Sequence, residues 1–163
     1  MAHLPFIKMV VESTIELLTK ENEQFKPKEH MELTLYGLTM MVEEWLRDPD
    51  SVIDTLIALL ADRDRRVVLL ATIYLGLSKE ILEPKGVAMG GITRAIDPIN
   101  VRAKLNKDKN LGLAFGTTNT ILGDKSAAKW MSQQMKDTKV FSETDFIKGI
   151  RMYLIKEVVE GWK

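Results

Sequence analysis

Lysine and arginine carry the chemistry open to this chain, and they are concentrated in one stretch. Between Arg94 and Lys139 stand Arg94, Arg102, Lys104, Lys107, Lys109, Lys125, Lys129, Lys136 and Lys139, against Asp97, Asp108, Asp124 and Asp137. From Met1 to Glu83 the balance reverses, with fifteen Asp and Glu against nine Lys and Arg. The formal net charge over all 163 residues is zero, so the sequence is acidic in its first half and basic in its middle. A separation of this kind favours association rather than bond making, because clustered cations attract phosphates and carboxylates and steer encounters. Arg102 and Lys109 are seven apart, and Lys104 and Lys107 three apart, which on one helix puts charge on two adjacent faces. Arg63, Arg65 and Arg66 form a second cluster, partly neutralised by Asp62 and Asp64. These seven residues are the candidate contacts for an anionic partner, lipid or RNA, or for self-association. The competing reading is a solvated face, the usual fate of a charge run.

The other catalytic raw materials are scarce. There is no cysteine, which removes disulfides, thiolate metal sites and thiol nucleophiles. The two histidines, His3 and His30, are too few for an imidazole-rich metal centre. His30, between Glu29 and Met31, is expected to be half exposed in the first turns of a helix, and His3 to lie in a frayed terminus. The carboxylate pairs Glu43–Glu44 and Asp62–Asp64 read as solvated caps, since neighbours on a helix or tight turn point apart rather than into one pocket. Gly86, Gly90 and Gly91 do not form a phosphate-binding loop, nor does Gly112-x-x-x-Gly116, for want of a Lys-Ser/Thr and a preceding strand. Neither an enzyme nor a metal or cofactor site is expected. The nine methionines are expected mostly on inward helix faces.

The elements that must position the charges are helical. Ile7, Val11, Ile15 and Leu18 repeat at helical spacing from about Pro5 to Lys20, with Pro5 suited to a first turn. After the polar run to Pro27, a second stripe holds Met31, Leu35, Leu38, Val42 and Trp45 or Leu46, with a bend allowed at Gly37. Asp48-Pro49-Asp50 stops that helix, and Ser51 with Asp54 resembles a capping box for the next. The segment from Ser51 to Ala61 is apolar nearly all round and so is expected at the middle of the bundle. A fourth helix turns Val67, Leu70, Ile73 or Tyr74, Leu77 and Ile81 inward. Asp97-Pro98 reads as a cap and first position for a helix carrying Arg102 to Lys109. The stretch from Leu111 to Leu122 is a weaker helix because of its glycines and threonines. Asp124 caps a helix with Ala127, Met131 and Met135 inward, and Ser142 with Asp145 caps a last one presenting Ile147, Ile150, Leu154 and Val158.

No segment alternates like a strand, so the fold class is all-α, with about eight helices in two small packed bundles. The breaker-rich run Pro84, Gly86, Gly90, Gly91 marks a linker, 84–97, between an acidic subdomain, 1–83, and a basic-to-neutral one, 98–163. The uncharged runs Val67–Ser78 and Asn110–Gly123 fall short of the ~20 apolar residues of a membrane span. The chain is therefore expected to touch a bilayer without crossing it. Ser51–Ser78 resembles a single HEAT-type helix pair, and an all-helical protein–protein adaptor without lipid or RNA binding is the alternative function.

Read end to end, the chain resembles the N-terminal domain of orthomyxovirus (influenza-type) matrix proteins. The resemblance rests on Glu44-Trp45-Leu46-Arg47 with Pro49, on Arg63-Asp64-Arg65-Arg66 before an apolar helix, on Arg102-Ala-Lys104-Leu-Asn-Lys107, and on Val140 to Phe146. Asn106 and Asp108 dilute the basic run relative to that family, as in a member divergent from influenza. The resemblance implies a non-enzymatic virion protein that polymerises beneath the envelope and binds acidic membrane at the inner face of the plasma membrane. It also implies contact with ribonucleoprotein or RNA, and residence in the host cytoplasm or nucleus. The ending Gly161-Trp162-Lys163, straight from a helix, leads to the expectation that more chain follows.

Overall fold

Prolines and aspartates punctuate the chain into helices. A computed structural model describes residues 4–20, 24–136, 138 and 142–162. Among these are eight α-helices and no strand: α1 Pro5–Thr19, α2 Pro27–Arg47, α3 Pro49–Leu59, α4 Arg65–Leu77, α5 Ile96–Leu105, α6 Lys109–Leu122, α7 Lys125–Met135 and α8 Glu143–Val159. The expectations for His3, for Lys139 and for Val140 and Phe141 lie outside the described residues.

Proline opens α1, α2 and α3, where its missing N–H has no intrahelical acceptor to lose. Side chains cap the starts of five helices. Asp48, Asp64, Asp108, Asp124 and Ser142 each accept a backbone N–H from two or three residues ahead. Two expected caps are corrected. Pro49 takes the first position of α3, which makes Asp48 the cap and Ser51 its donor at 3.2 Å. Helix α5 begins at Ile96 directly from a 3₁₀ turn, Ile92–Ala95, so Asp97 lies inside the helix rather than at its boundary.

The two longest uncharged runs of the sequence become the central pair, α4 and α6. Every residue of α4 from Val67 to Leu77 is buried. Thr118 Oγ1 of α6 donates to Thr72 O of α4 at 2.9 Å, and Gly76 lies against Ile121 and Thr118. The middle position expected for α3 therefore belongs to α4; α3 keeps one edge outside, with Ile57 half-buried and Ala58 exposed. Because α4 comes from the first half and α6 from the second, one cluster of buried apolar side chains runs from Ile7 through Leu70 and Ala114 to Val159. The segment 84–97 contributes to it through Met89, Ile92 and Ala95, while Gly86 and Gly90 take the positive φ of its turns.

Helix α2 corrects the inward stripe. It is unbroken through Gly37 and buries His30, Thr34, Gly37, Leu38, Met41 and Trp45. Met31 and Val42 are half-buried, and Leu35 and Leu46 face outward. The cause is Tyr74 of α4, whose hydroxyl donates to Thr34 O at 2.8 Å across the α2 surface at Gly37. Docking that phenol rotates α2 by about one residue relative to its apolar stripe. Of the eight described methionines five are buried or half-buried, Met31 and Met135 being the half-buried ones. Met41, Met89 and Met131 are buried, while Met9, Met40 and Met152 are exposed.

Candidate functional site

Two short turns, built by local hydrogen bonds, bring part of the basic set together. In the turn before α4, Asp62 Oδ1 accepts Asp64 N–H at 2.8 Å and Asp64 Oδ1 accepts Arg66 N–H at 2.9 Å. In the turn before α6, Asn106 Oδ1 accepts Asp108 N–H at 3.0 Å and its amide donates to Asp108 O at 2.7 Å. Asp108 Oδ1 then accepts Asn110 N–H at 2.9 Å. Asn and Asp favour such turns because their short side chains substitute for a backbone partner. The Asn106–Asp108 turn ends the helix that the spacing of Arg102, Lys104, Lys107 and Lys109 placed through all four. Arg102 and Lys104 belong to α5, Lys107 to the turn and Lys109 to the start of α6.

Between the two turns lies a groove of about 200 Å³. Arg63, Arg65 and Arg102 line it together with Asp62 and Asn106, and its apolar lining is Leu60, Val68, Leu105, Leu111 and Phe115. The seven predicted cations separate into three groups. Arg65 is held: its guanidinium is 3.1 Å from Asp108 Oδ2 and lies over the Trp162 ring at 4.2 Å. Arg66 is also engaged, with Nε and Nη2 on the two Asp64 oxygens at 3.0 and 2.8 Å. That hydrogen-bonded pairing holds the Asp64 carboxyl below the ordinary carboxylate range. Arg63 and Arg102 have no acidic partner among the described residues and stand at the groove with their forks free. Lys104, Lys107 and Lys109 are exposed, without an ion pair among the described residues, and lie outside the groove. Beside them Val101 and Leu105 are 57% and 72% exposed, so α5 presents a face both basic and apolar.

Part of the charge separation read along the chain is used within the molecule. Arg94 reaches Asp50 Oδ1 at 2.9 Å and Asp54 Oδ1 at 2.7 Å, joining the segment before α5 to α3. These hydrogen bonds, Asp54 first, raise the Arg94 pKa further. Arg151 of α8, itself buried, lies 2.9 Å from Glu80 Oε2. The carboxylate pairs of the sequence likewise have structural partners, Glu44 with Arg47 at 3.3 Å and Asp64 with Arg66.

His30 is a correction: it is buried, not half exposed. Its Nδ1 accepts Lys26 N–H at 2.8 Å and its ring stacks on Phe25, so it serves the start of α2. Among the described residues no group of three or more His, Asp or Glu is placed to hold a metal ion. A depression of about 470 Å³ between α1 and α3 has Lys8 and Asp62 as its charged lining and is otherwise mostly apolar. No described helix is long and apolar enough to cross a membrane.

Sequence reasoning missed Trp162 and Asn106. The first acts only by stacking on a residue far away in the chain. The second was legible, since Asn-x-Asp is a turn signal that should have divided the basic helix. No family model, curated protein or solved structure matches the chain.

Proposed function

We propose that this chain is a non-enzymatic coat protein that assembles side by side on an anionic membrane surface. The observation that carries this reading is the face made by α5 and the turn after it. Lys104 and Lys107 stand there near the exposed Val101, with Lys109 beyond them at the start of α6, all three without an ion pair among the described residues. Ammonium groups on flexible stems suit a diffuse layer of lipid headgroups, because they need no fixed geometry. An exposed aliphatic side chain on the helix face of Lys104, such as Val101, can enter the headgroup region.

Each lysine near an anionic bilayer contributes about 1 kcal/mol, so one copy adheres weakly. Copies joined in a layer adhere together, since each bound neighbour raises the effective concentration of the next. The resemblance to orthomyxovirus matrix proteins supports the same reading. That resemblance implies a layer beneath a viral envelope at the inner face of the plasma membrane, with ribonucleoprotein or RNA as the inner partner.

Co-sedimentation with vesicles of phosphatidylserine and phosphatidylcholine, compared with phosphatidylcholine alone, tests it. Preference for the anionic vesicles is expected. The Lys104→Glu, Lys107→Glu, Lys109→Glu variant should lose at least about 3 kcal/mol, more than about a hundredfold in binding, since each change removes an attraction and adds a repulsion. Equal binding to both vesicles, or a charge-reversed variant that adheres as well as the parent, overturns the reading.

A further inference from the structure

The groove offers directional recognition that the neighbouring lysines do not. Arg63 and Arg102, neither with an ion-pair partner among the described residues, both line one cleft together with Asp62 and an apolar set, Leu60, Val68, Leu105, Leu111 and Phe115. Two like charges at one site repel, and a carboxylate between them relieves the repulsion. A guanidinium fork binds a carboxylate through two parallel hydrogen bonds, which gives orientation as well as attraction. A fitting occupant therefore carries an acid next to an apolar side chain.

The molecule itself displays that combination at the C-terminal end of α2. Leu46 is 63% exposed there. Glu43, one turn earlier and on the same face, is exposed and without an ion-pair partner among the described residues. With Glu44 paired to Arg47 and Asp50 to Arg94, Glu43 and Asp48 remain as net negative charge at this end, where the groove is positive. The two surfaces sit at opposite ends of α3: Leu46 precedes its first residue, Pro49, and the groove begins at Leu60, after its last. Eleven residues at 1.5 Å each separate them by about 16 Å along the helix axis. A copy cannot fill its own groove across that length.

We infer that the groove lined by Arg63 and Arg102 receives the α2 end of a second copy, with Leu46 against the apolar lining and Glu43 between the two guanidinium groups. The inference rests on the coat reading and specifies its contact. Because donor and acceptor surfaces differ, the contact is heterologous and repeats from copy to copy instead of closing as a two-fold pair. A groove-to-groove pair would set the same cations against each other. Lys104, Lys107 and Lys109, outside the groove, stay free for the membrane.

The absence of cysteine makes the contact directly readable. Leu46→Cys and Leu105→Cys chains, mixed under mild oxidation and mapped by peptide mass spectrometry, should give the mixed 46–105 disulfide in at least tenfold excess over 46–46 and 105–105. Glu43→Arg and Arg102→Glu should each weaken self-association at least tenfold in sedimentation. The chain carrying both changes should recover to within about threefold, because each contact regains opposite charges. Circular dichroism of each variant establishes that the fold is kept. Like-with-like disulfides in equal yield, or no recovery in the doubly changed chain, overturn the inference. So does an Arg102→Glu variant that loses vesicle adhesion while self-association is unchanged, because lipid would then occupy the groove. Ordered assembly without the 46–105 disulfide refutes this contact and leaves the coat reading standing, whereas absence of assembly on anionic vesicles refutes both.

Discussion

Tyr74 and Gly37 interlock. The Tyr74 hydroxyl fills the place where residue 37 would carry a β-carbon, with Thr14 Oγ1 2.8 Å from that position, and the hydroxyl donates to Thr34 O at 2.8 Å. Glycine in mid-helix costs about 1 kcal/mol relative to alanine, so propensity alone favours Gly37→Ala. Here the phenol is fully buried and has nowhere to retreat. Gly37→Ala is expected to destabilise the protein by about 1–3 kcal/mol, the range for an overpacked core. Urea unfolding measures it, and a stabilised variant would show that α2 and α4 do not meet in this way.

The same phenol sets an alkaline limit. Burial pushes the Tyr74 pKa up from 10.0 to about 12. A group whose pKa is raised by folding contributes its full stability below the unfolded value and loses it as pH rises through the folded one. The loss therefore falls between pH 10 and 12 and amounts to roughly 2–3 kcal/mol. Tyr74→Phe should be less stable at neutral pH by about 1 kcal/mol for its lost hydrogen bond, yet flatter over that alkaline window. Unfolding curves of both proteins at several pH values give the comparison; parallel alkaline profiles would contradict a buried phenol.

Glu80 and Arg151 fasten α8 to the turn that follows α4. The Arg151 side chain is 8% exposed and that of Glu80 25%. Removing the carboxylate leaves a nearly buried cation without its partner, so Glu80→Ala should cost about 2–3 kcal/mol, less than for full burial because water still screens Glu80. Adding Arg151→Met should recover most of the loss, since the uncompensated charge is gone. A double variant as unstable as the single one would mean that the pairing is not the source of the effect.

Asp108 serves two elements at once, capping α6 and holding Arg65. Asp108→Ala should cost about 1–2 kcal/mol, most of it from the lost cap, as the half-exposed ion pair adds little. It should also free Arg65 and loosen the groove wall, visible as faster hydrogen exchange in the first turn of α6. Unchanged exchange there would remove Asp108 from its capping role.

Salt separates charge-driven assembly from apolar assembly. The screening length falls from about 8 Å at physiological ionic strength to about 3 Å at 1 M. Self-association through Arg63, Arg102 and Glu43 should therefore weaken between these conditions in analytical sedimentation. Assembly that holds or strengthens at 1 M salt would count against a contact made by these charges.

What could be read along the chain is whatever closes within three or four residues. The breaks at Pro27, Asp48-Pro49 and Gly123, the caps at Asp124 and Ser142, and the inward faces of α1 and α8 depend on backbone bonds between near neighbours and on helical period. The all-α class follows from them. The face that α2 buries, the burial of His30, and the separation of bound from free cations depend on partners far off in sequence. Tyr74 meets Thr34, Arg94 meets Asp50 and Asp54, and Arg65 meets Asp108, each across some forty positions. A cation looks the same in sequence whether or not a distant carboxylate neutralises it. Packing alone left Arg63 and Arg102 open at a shared groove while it closed Arg65 and Arg94 into the fold; Arg66 is held locally by Asp64.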